Sequence, residues 1–308
     1  MTNKNRISRR NLLKGIGAGA VVGLAASRVT PAVAQVSGPS GEIFGIYRFN
    51  VGDFQITAIK DNVSALDTAI FGTEEQAETV QAELASSNLP TGEVRNTFNI
   101  MMIQSGDDVY LVDSGLGVGL VPSMDLLGMT PADVTGVLGT HWHPDHVGGL
   151  STDGAVNFPN AMYYLSQTEY DFIQANAEGF TGGAAAAIAP YADKDQLSLY
   201  NADDELVSGV QAMAAPGHTP GHHVMMLESN GNQIMHIVDS AIVAEVHVAN
   251  PSLNIQFDAD PQQASETRVS LLSRAADEGI LIMAYHFPFP GVGYIVRDGE
   301  GFRFVPYN

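Results

Sequence analysis

The chain has 308 residues, no cysteine, and 14 basic against 34 acidic side chains, a net charge of −20. The lack of thiols excludes disulfides and thiolate metal sites, so a tight zinc site would have to use histidine and carboxylate. The acidic surplus repels phosphate backbones and anionic lipid, which argues against nucleic-acid partners.

Residues 1–34 carry six of the basic residues and no acid, which leaves eight bases against 34 acids, −26, from Gln35 onward. Ser8-Arg9-Arg10-Asn11-Leu12-Leu13-Lys14 is followed by an uncharged Gly/Ala-rich stretch from Ile16 to Ala26 and by Pro31-Ala32-Val33-Ala34-Gln35. A basic start, a short apolar middle and small residues at the end are the order of an export signal, and the paired arginines resemble the twin-arginine type. The apolar stretch falls well short of the roughly 20 residues of a spanning helix, so the expectation is cleavage after Ala34 and a periplasmic or secreted protein without stable membrane insertion. Residues 35–308 are then long enough for one large domain, or two intimately packed halves, with a substantial core.

In that stretch Phe54 to Ile59 alternates as a strand does, and Asn62 to Phe71 reads as a loop. Thr73-Glu74-Glu75-Gln76 has the spacing of a capping box, predicting a helix to about Ser87 that Pro90 stops. Asn99 to Gln104 and Val109 to Val112 read as a hairpin across Gly106-Asp107-Asp108, Leu126 to Ala132 as a short helical turn, and Val134 to Leu138 as a buried strand. From Ser166 to Ala189 the composition is helical but broken by Gly179, Gly182 and Gly183, as expected of a mobile cap. Val210 to Ala214, His223 to Leu227 and Gln233 to Val238 are strands, the last two joined by Asn230-Gly231. Asp260-Pro261 opens a helix as N-cap and first-turn proline, with Val269, Leu272 and Ala276 expected on its apolar face and Gly279 at its end. Ile280 to Ala284 is a last strand before His286. Strands in two groups, with helices between and after them, predict an α/β layered sandwich.

The chemistry concentrates in Thr140-His141-Trp142-His143-Pro144-Asp145-His146-Val147-Gly148-Gly149, directly after a buried strand. Pro144 prevents a continuous helix and the two glycines let the chain turn, so side chains two apart can meet one ion while Asp145 and His146 face a second. Such a set suits zinc, and also manganese, iron or cobalt. The stretch resembles the H-x-H-x-D-H signature of the metallo-β-lactamase superfamily. Further elements of that family follow its order: Val112-Asp113-Ser114-Gly115, Pro216-Gly217-His218-Thr219-Pro220-Gly221-His222, Ile237-Val238-Asp239-Ser240 and Tyr285-His286-Phe287-Pro288.

The resemblance implies a four-layer αβ/βα sandwich and two divalent ions held by His141, His143, Asp145, His146, His218, Asp239 and His286, with Asp239 shared. It further implies a hydroxide formed between the ions, Asp145 as the proton-handling carboxylate, and Asp113 behind the ligands, fixing one histidine tautomer. His222 reads as a supporting or hairpin residue, and His223, His236 and His247 as ordinary.

The His286-Phe287-Pro288-Phe289-Pro290-Gly291 tail, with the N-terminal helix and the signal, resembles the branch containing methyl parathion hydrolase and quorum-quenching lactonases. That implies a small neutral ester, lactone or phosphotriester as substrate, with Phe71, Phe98, Phe172, Phe180 and Phe287 as candidate pocket walls, core packing being the commoner place for any one of them. A homodimer is compatible with this reading. The alternatives are a β-lactamase, which would need a cationic anchor that no lysine or arginine near the motifs provides, and a non-catalytic periplasmic metal-binding protein.

Overall fold

The computed structural model describes residues 33–37 and 43–307. The predicted export segment lies outside these residues except for its last two, which begin the first strand. Along the chain run β1 (Val33–Ser37), β2 (Ile43–Val51), β3 (Phe54–Asp67), α1 (Ala77–Ser86), β4 (Glu93–Ser105), β5 (Asp108–Val112), α2 (Leu120–Leu126), β6 (Gly136–Leu138) and α3 (Pro144–Val147). The small hairpin β7 (Ser151–Thr152) and β8 (Ala155–Val156) follows, then β9 (Met162–Ser166), α4 (Gln167–Ala175) and α5 (Gly182–Ala192). The second half holds β10 (Leu197–Tyr200), β11 (Glu205–Val207), β12 (Val210–Ala214), β13 (His223–Ser229), β14 (Asn232–Val238), α6 (Pro261–Glu278), β15 (Leu281–Ala284), β16 (Val292–Asp298) and β17 (Gly301–Pro306).

Strands β1-β2-β3-β4-β5-β6-β9-β10 form one sheet in that order, and β11 to β17 form the other in chain order. Alternation along β4 shows why the sheets stack. Met101 and Ile103 point between the sheets, where they meet Ala212, Leu227 and Ile234, whereas Ile100 and Met102 face Leu120, Ile173 and Ile188 of the covering helices. On the far side Met226, Met235 and Ile282 pack against Leu271, Leu272 and Ala275 of α6. Each strand thus serves two cores, because successive side chains point to opposite faces. The order is helices, sheet, sheet, helix: the expected four-layer αβ/βα sandwich.

Several local expectations need correction. Asn62 to Asp67 is not loop but the second half of β3, paired with β4 out to Asp67 opposite Glu93 across a bulge between Lys60 and Asn62. The long partner strand supplies the pairing that composition did not suggest. The bulge residue Asp61 turns its carboxylate to accept from the backbone N–H groups of Leu116, Gly119 and Leu120, at the start of α2. That helix ends at Leu126, the first residue of the helical turn expected to run to Ala132; beyond it only Pro131–Asp133 is helical, as a short 3-10 turn. In α6 the buried face is Ala264, Arg268, Leu271, Leu272 and Ala275, and Val269 is exposed. The capping box forms as expected, Gln76 Oε1 accepting from Thr73 N at 3.0 Å, and Asp260 caps α6 by accepting from Gln263 N at 3.0 Å. None of the described helices is long and apolar enough to cross a membrane.

Candidate metal centre

The site gathers at strand ends, where rigid backbone releases free side chains. Asp113 follows β5, the loop 139–143 follows β6, His218 follows β12, Asp239 follows β14, and His286 follows β15. Asp113 (φ 61°) and Val238 (φ 48°) both sit in the left-handed region. For a β-branched valine this is a strained conformation, and it coincides with the register shift between β14 and β15 that aims Asp239 inward. Gly217 (φ 124°) precedes His218 where a Cβ would lie 2.2 Å from the backbone nitrogen of Ala264, so only glycine lets this loop lie against α6.

All seven predicted side chains converge. His141, His143, His218 and Asp239 bring four donor atoms within 4.8 Å of one another, and Asp145, His146 and His286 form a second such group. Asp239 touches both: its Oδ2 lies 3.3 Å from His218 Nε2 and 3.2 Å from His286 Nε2, and its Oδ1 lies 3.2 Å from His146 Nε2. His143 Nδ1 is 3.1 Å from His141 Nε2 and 2.9 Å from His218 Nε2.

Four of the five histidines turn Nε2 to the centre because Nδ1 is engaged behind it. His146 Nδ1 meets Asp113 Oδ2 at 2.8 Å, His218 Nδ1 meets Asp258 Oδ1 at 2.9 Å, His141 Nδ1 meets Thr140 Oγ1 at 3.0 Å, and His286 Nδ1 meets the Thr97 carbonyl at 3.2 Å. His143 presents Nδ1 instead. Asp113 has the place expected of it, accepting also from Thr140 N and Oγ1.

The donor set fits divalent cations. His146 Nε2 and Asp239 Oδ1 are buried, face each other and have no hydrogen-bond partner, a costly arrangement that a cation would satisfy. Burial and neighbouring imidazoles press His141 and His143 below their ordinary pKa, the latter to about 2, keeping neutral rings with free lone pairs. Burial also works against the charged form of His218, but hydrogen bonds and charge from Asp239 and Asp258 prevail and push it up to about 9. Burial opposes the charged form of Asp239 as well, yet His286, His146 and His218 hold it well below the usual carboxylate range. A cation entering here finds a permanent anion at its centre.

The site opens on a cavity of about 250 Å³ lined by His143, Asp145, His218, Asp239 and His286 at the floor and by Leu66, Phe98, Ile242, Ile255 and Phe257 on the walls. No lysine or arginine is among its lining residues. Of the five phenylalanines expected there, only Phe98 lines it. Phe71 is buried edge-on to His247, Phe172 and Phe180 pack on each other, and Phe287 is buried against Phe304. Trp142 lies beside His143 and meets the exposed Phe180 on the other side of the metal loop.

Supporting residues carry much of the site, and four have roles the sequence did not disclose. Glu169 of α4 is fully buried and joins the two ligand loops, accepting from Trp142 N at 2.9 Å and from Thr219 Oγ1 and Gly221 N at 2.8 Å. Burial pushes its pKa up to about 7. Tyr285 lies over the His146 ring and donates to the Asp145 carbonyl at 2.6 Å. Asp258 backs His218, and Arg268 lies next to Asp258, so a cation does lie near the motifs, though 1% exposed and out of reach of a substrate. His222 Nδ1 donates to the Ala215 carbonyl at 2.9 Å, its ring edge-on to that of His141. His236 and His247 use Nδ1 to accept backbone N–H groups, and His223 packs against Tyr200.

The metallo-beta-lactamase superfamily profile matches residues 98–286, more than half of the chain. The chain belongs to the metallo-beta-lactamase superfamily. Among solved structures of the superfamily fold, the hydrolase AbOPH superposes with a TM-score of 0.80 at 32% identity, covering 87% of this chain and 99% of that one. AidC, a dizinc quorum-quenching lactonase solved with its product N-hexanoyl-L-homoserine, superposes with a TM-score of 0.78 at 23% identity over 86% of this chain and 98% of its own. Among curated proteins, an N-acyl homoserine lactonase of Bacillus cereus is 28% identical over 187 residues, 61% of this chain and 66% of that protein. Matches to the curated lactonases cover between 46% and 66% of their lengths.

Proposed function

We propose that this protein is an exported dinuclear metal-dependent hydrolase of small neutral lactones or esters. The observation that carries the reading is the Asp239 carboxylate shared by two groups of buried ligands at the floor of an apolar, cation-free cavity. His141, His143 and His218 would hold one ion, Asp145, His146 and His286 the other, and Asp239 both. Zinc is the first candidate, with manganese, iron or cobalt as others. Two such ions polarise a carbonyl or phosphoryl oxygen and supply a strong oxygen nucleophile at neutral pH.

The chain's own residues do the rest. Leu66, Phe98, Ile242, Ile255 and Phe257 take the apolar part of the substrate and exclude water around the ester group. Asp145, whose side chain is 24% exposed, is the accessible carboxylate of the floor. It accepts a proton from the attacking water at a carboxylate oxygen. It returns that proton to the alcohol oxygen as the bond between that oxygen and the carbonyl carbon breaks, leaving an alcohol and a carboxylic acid that loses its own proton to solvent at neutral pH. Tyr285 and Asp113 keep Asp145 and His146 in place.

The uncharged walls favour a neutral substrate over a β-lactam, whose carboxylate would find no cationic anchor in the cavity. The lactonase relatives and the AbOPH likeness support the same class of chemistry. The test is turnover by metal-loaded protein of a panel of N-acyl lactones, aryl esters, a phosphotriester and a chromogenic cephalosporin. Lactone or ester turnover that chelation abolishes and zinc, manganese or cobalt restores is expected. Activity of the metal-stripped protein, or turnover of the cephalosporin alone, would refute it.

A further inference from the structure

A buried cation stands one residue removed from the metal ligands. Arg268, in the middle of α6, is 1% exposed. Its guanidinium donates from Nε to the Ser240 carbonyl at 2.6 Å and from Nη1 to the carbonyls of Pro251 and Leu253 at 2.8 and 2.7 Å, and its Nη2 lies 3.6 Å from Asp258 Oδ2. Ser240 directly follows the shared ligand Asp239. Asp258 holds Nδ1 of the ligand His218 through its other oxygen and accepts from Ile255 N at 3.3 Å. Ile255 and Phe257, on the segment between Leu253 and Asp258, form part of the cavity wall.

One rigid fork therefore ties three things together: the strand end that carries Asp239, the loop that forms the wall, and, through Asp258, the ring of His218. Other contacts close the same frame. Thr267 Oγ1 donates to the Pro216 carbonyl at 2.7 Å, Ala259 N to the His218 carbonyl at 3.1 Å, and Asp260 N to the Gly217 carbonyl at 2.9 Å. Comparable backing of the other ion group comes from Asp113 on His146, with no arginine among its partners. Asp258 thus backs only His218, whereas Asp113 backs His146 directly and reaches His141 through Thr140.

We propose that Asp258 and Arg268 are a positioning pair that acts chiefly on one ion. They orient His218 and Asp239 at the group containing His141 and His143, and they set the wall segment 251–258 in the same frame. The inference rests on the dinuclear reading. Partners behind metal-binding histidines are commonly worth ten- to hundred-fold in metal affinity. A planar five-donor fork cannot be replaced by an ammonium at a site that engages three carbonyls and a carboxylate.

The test is competitive titration of the full chain with zinc against a chromophoric chelator, with cobalt absorption as a second readout. In Asp258→Asn, which keeps an oxygen to accept from His218, one of the two equivalents should bind ten- to hundred-fold more weakly while the other is unchanged. Arg268→Lys, which retains the buried charge, should weaken the same equivalent more than the other, Asp239 being shared, and alter the same cobalt bands, and serves if the first variant does not fold. Wild-type affinity for both equivalents in a folded variant would overturn the proposal, as would equal weakening of both. A wild-type chain that binds no metal would overturn the dinuclear reading, and this inference with it.

Discussion

Glu169 gives the sharpest quantitative test of how the ligand loops are held. It is a buried carboxyl without a basic partner, engaged only by the N–H of Trp142, the hydroxyl of Thr219 and the N–H of Gly221. Burial raises its pKa from 4.5 to about 7, a shift worth about 3 kcal/mol. For an acid whose pKa is raised by folding, the folded state binds the proton more tightly than the unfolded chain. The contribution is therefore fully present below pH 4.5 and is lost as pH rises through about 7. Glu169→Gln removes this titration but sets an amide N–H₂ against donors, which costs about 1–3 kcal/mol for a buried polar group left unpaired. The assay is denaturant unfolding of the metal-stripped wild type and variant across pH 4.5 to 8. Other titrating groups cancel in the difference. The stability advantage of wild type over Glu169→Gln should shrink by about 3 kcal/mol from the acid to the alkaline end. A difference independent of pH would show that Glu169 is not a buried carboxyl with a raised pKa and would refute its role in joining the ligand loops.

Three further outcomes follow from the same structure. Asp145→Asn should retain the metal held by His141, His143 and His218 while turnover falls by at least about 100-fold, the usual worth of a positioned acid or base; unchanged turnover measured beside metal content would remove Asp145 from the chemistry. Because His218 holds its proton up to about pH 9 in the metal-free site, metal binding near pH 7 should release protons and weaken as pH falls; calorimetry in buffers of different ionisation enthalpy checks this, and no buffer dependence would contradict it. Replacing Arg9 and Arg10 together by lysine should leave unprocessed protein in the cytoplasm when cell fractions are compared, and normal export of that variant would contradict the signal reading.

Much of the architecture was legible because apolar runs such as Val137-Leu138 and Ile280 to Ala284 end next to residues with metal-binding side chains, and because Asn230-Gly231 and Asp260-Pro261 have one strong local meaning each. The helical loop at His141 to Gly149 was legible because its spacing has few other uses. What failed depends on partners distant in the chain. The strand over Asn62 to Asp67 exists because β4 is long enough to pair with it. The burial of Arg268 in place of Val269 depends on carbonyls offered by a loop about 15 residues earlier. Asp258 stands two residues before the helix cap Asp260 and reads as part of the same turn; only folding brings it to His218, 40 residues away. The pocket phenylalanines could not be picked out for a related reason: aromatic residues fill cores as readily as cavities, and Phe71 and Phe287 went to the core.

The central claim is that one carboxylate, Asp239, is shared by two ions. Diffraction from zinc-loaded crystals at the zinc absorption edge tests it directly. Two anomalous peaks are expected, one among His141, His143 and His218 and one among Asp145, His146 and His286, with Asp239 contacting both. A single peak, no peak, or a pair of peaks that leaves Asp239 unengaged would contradict it.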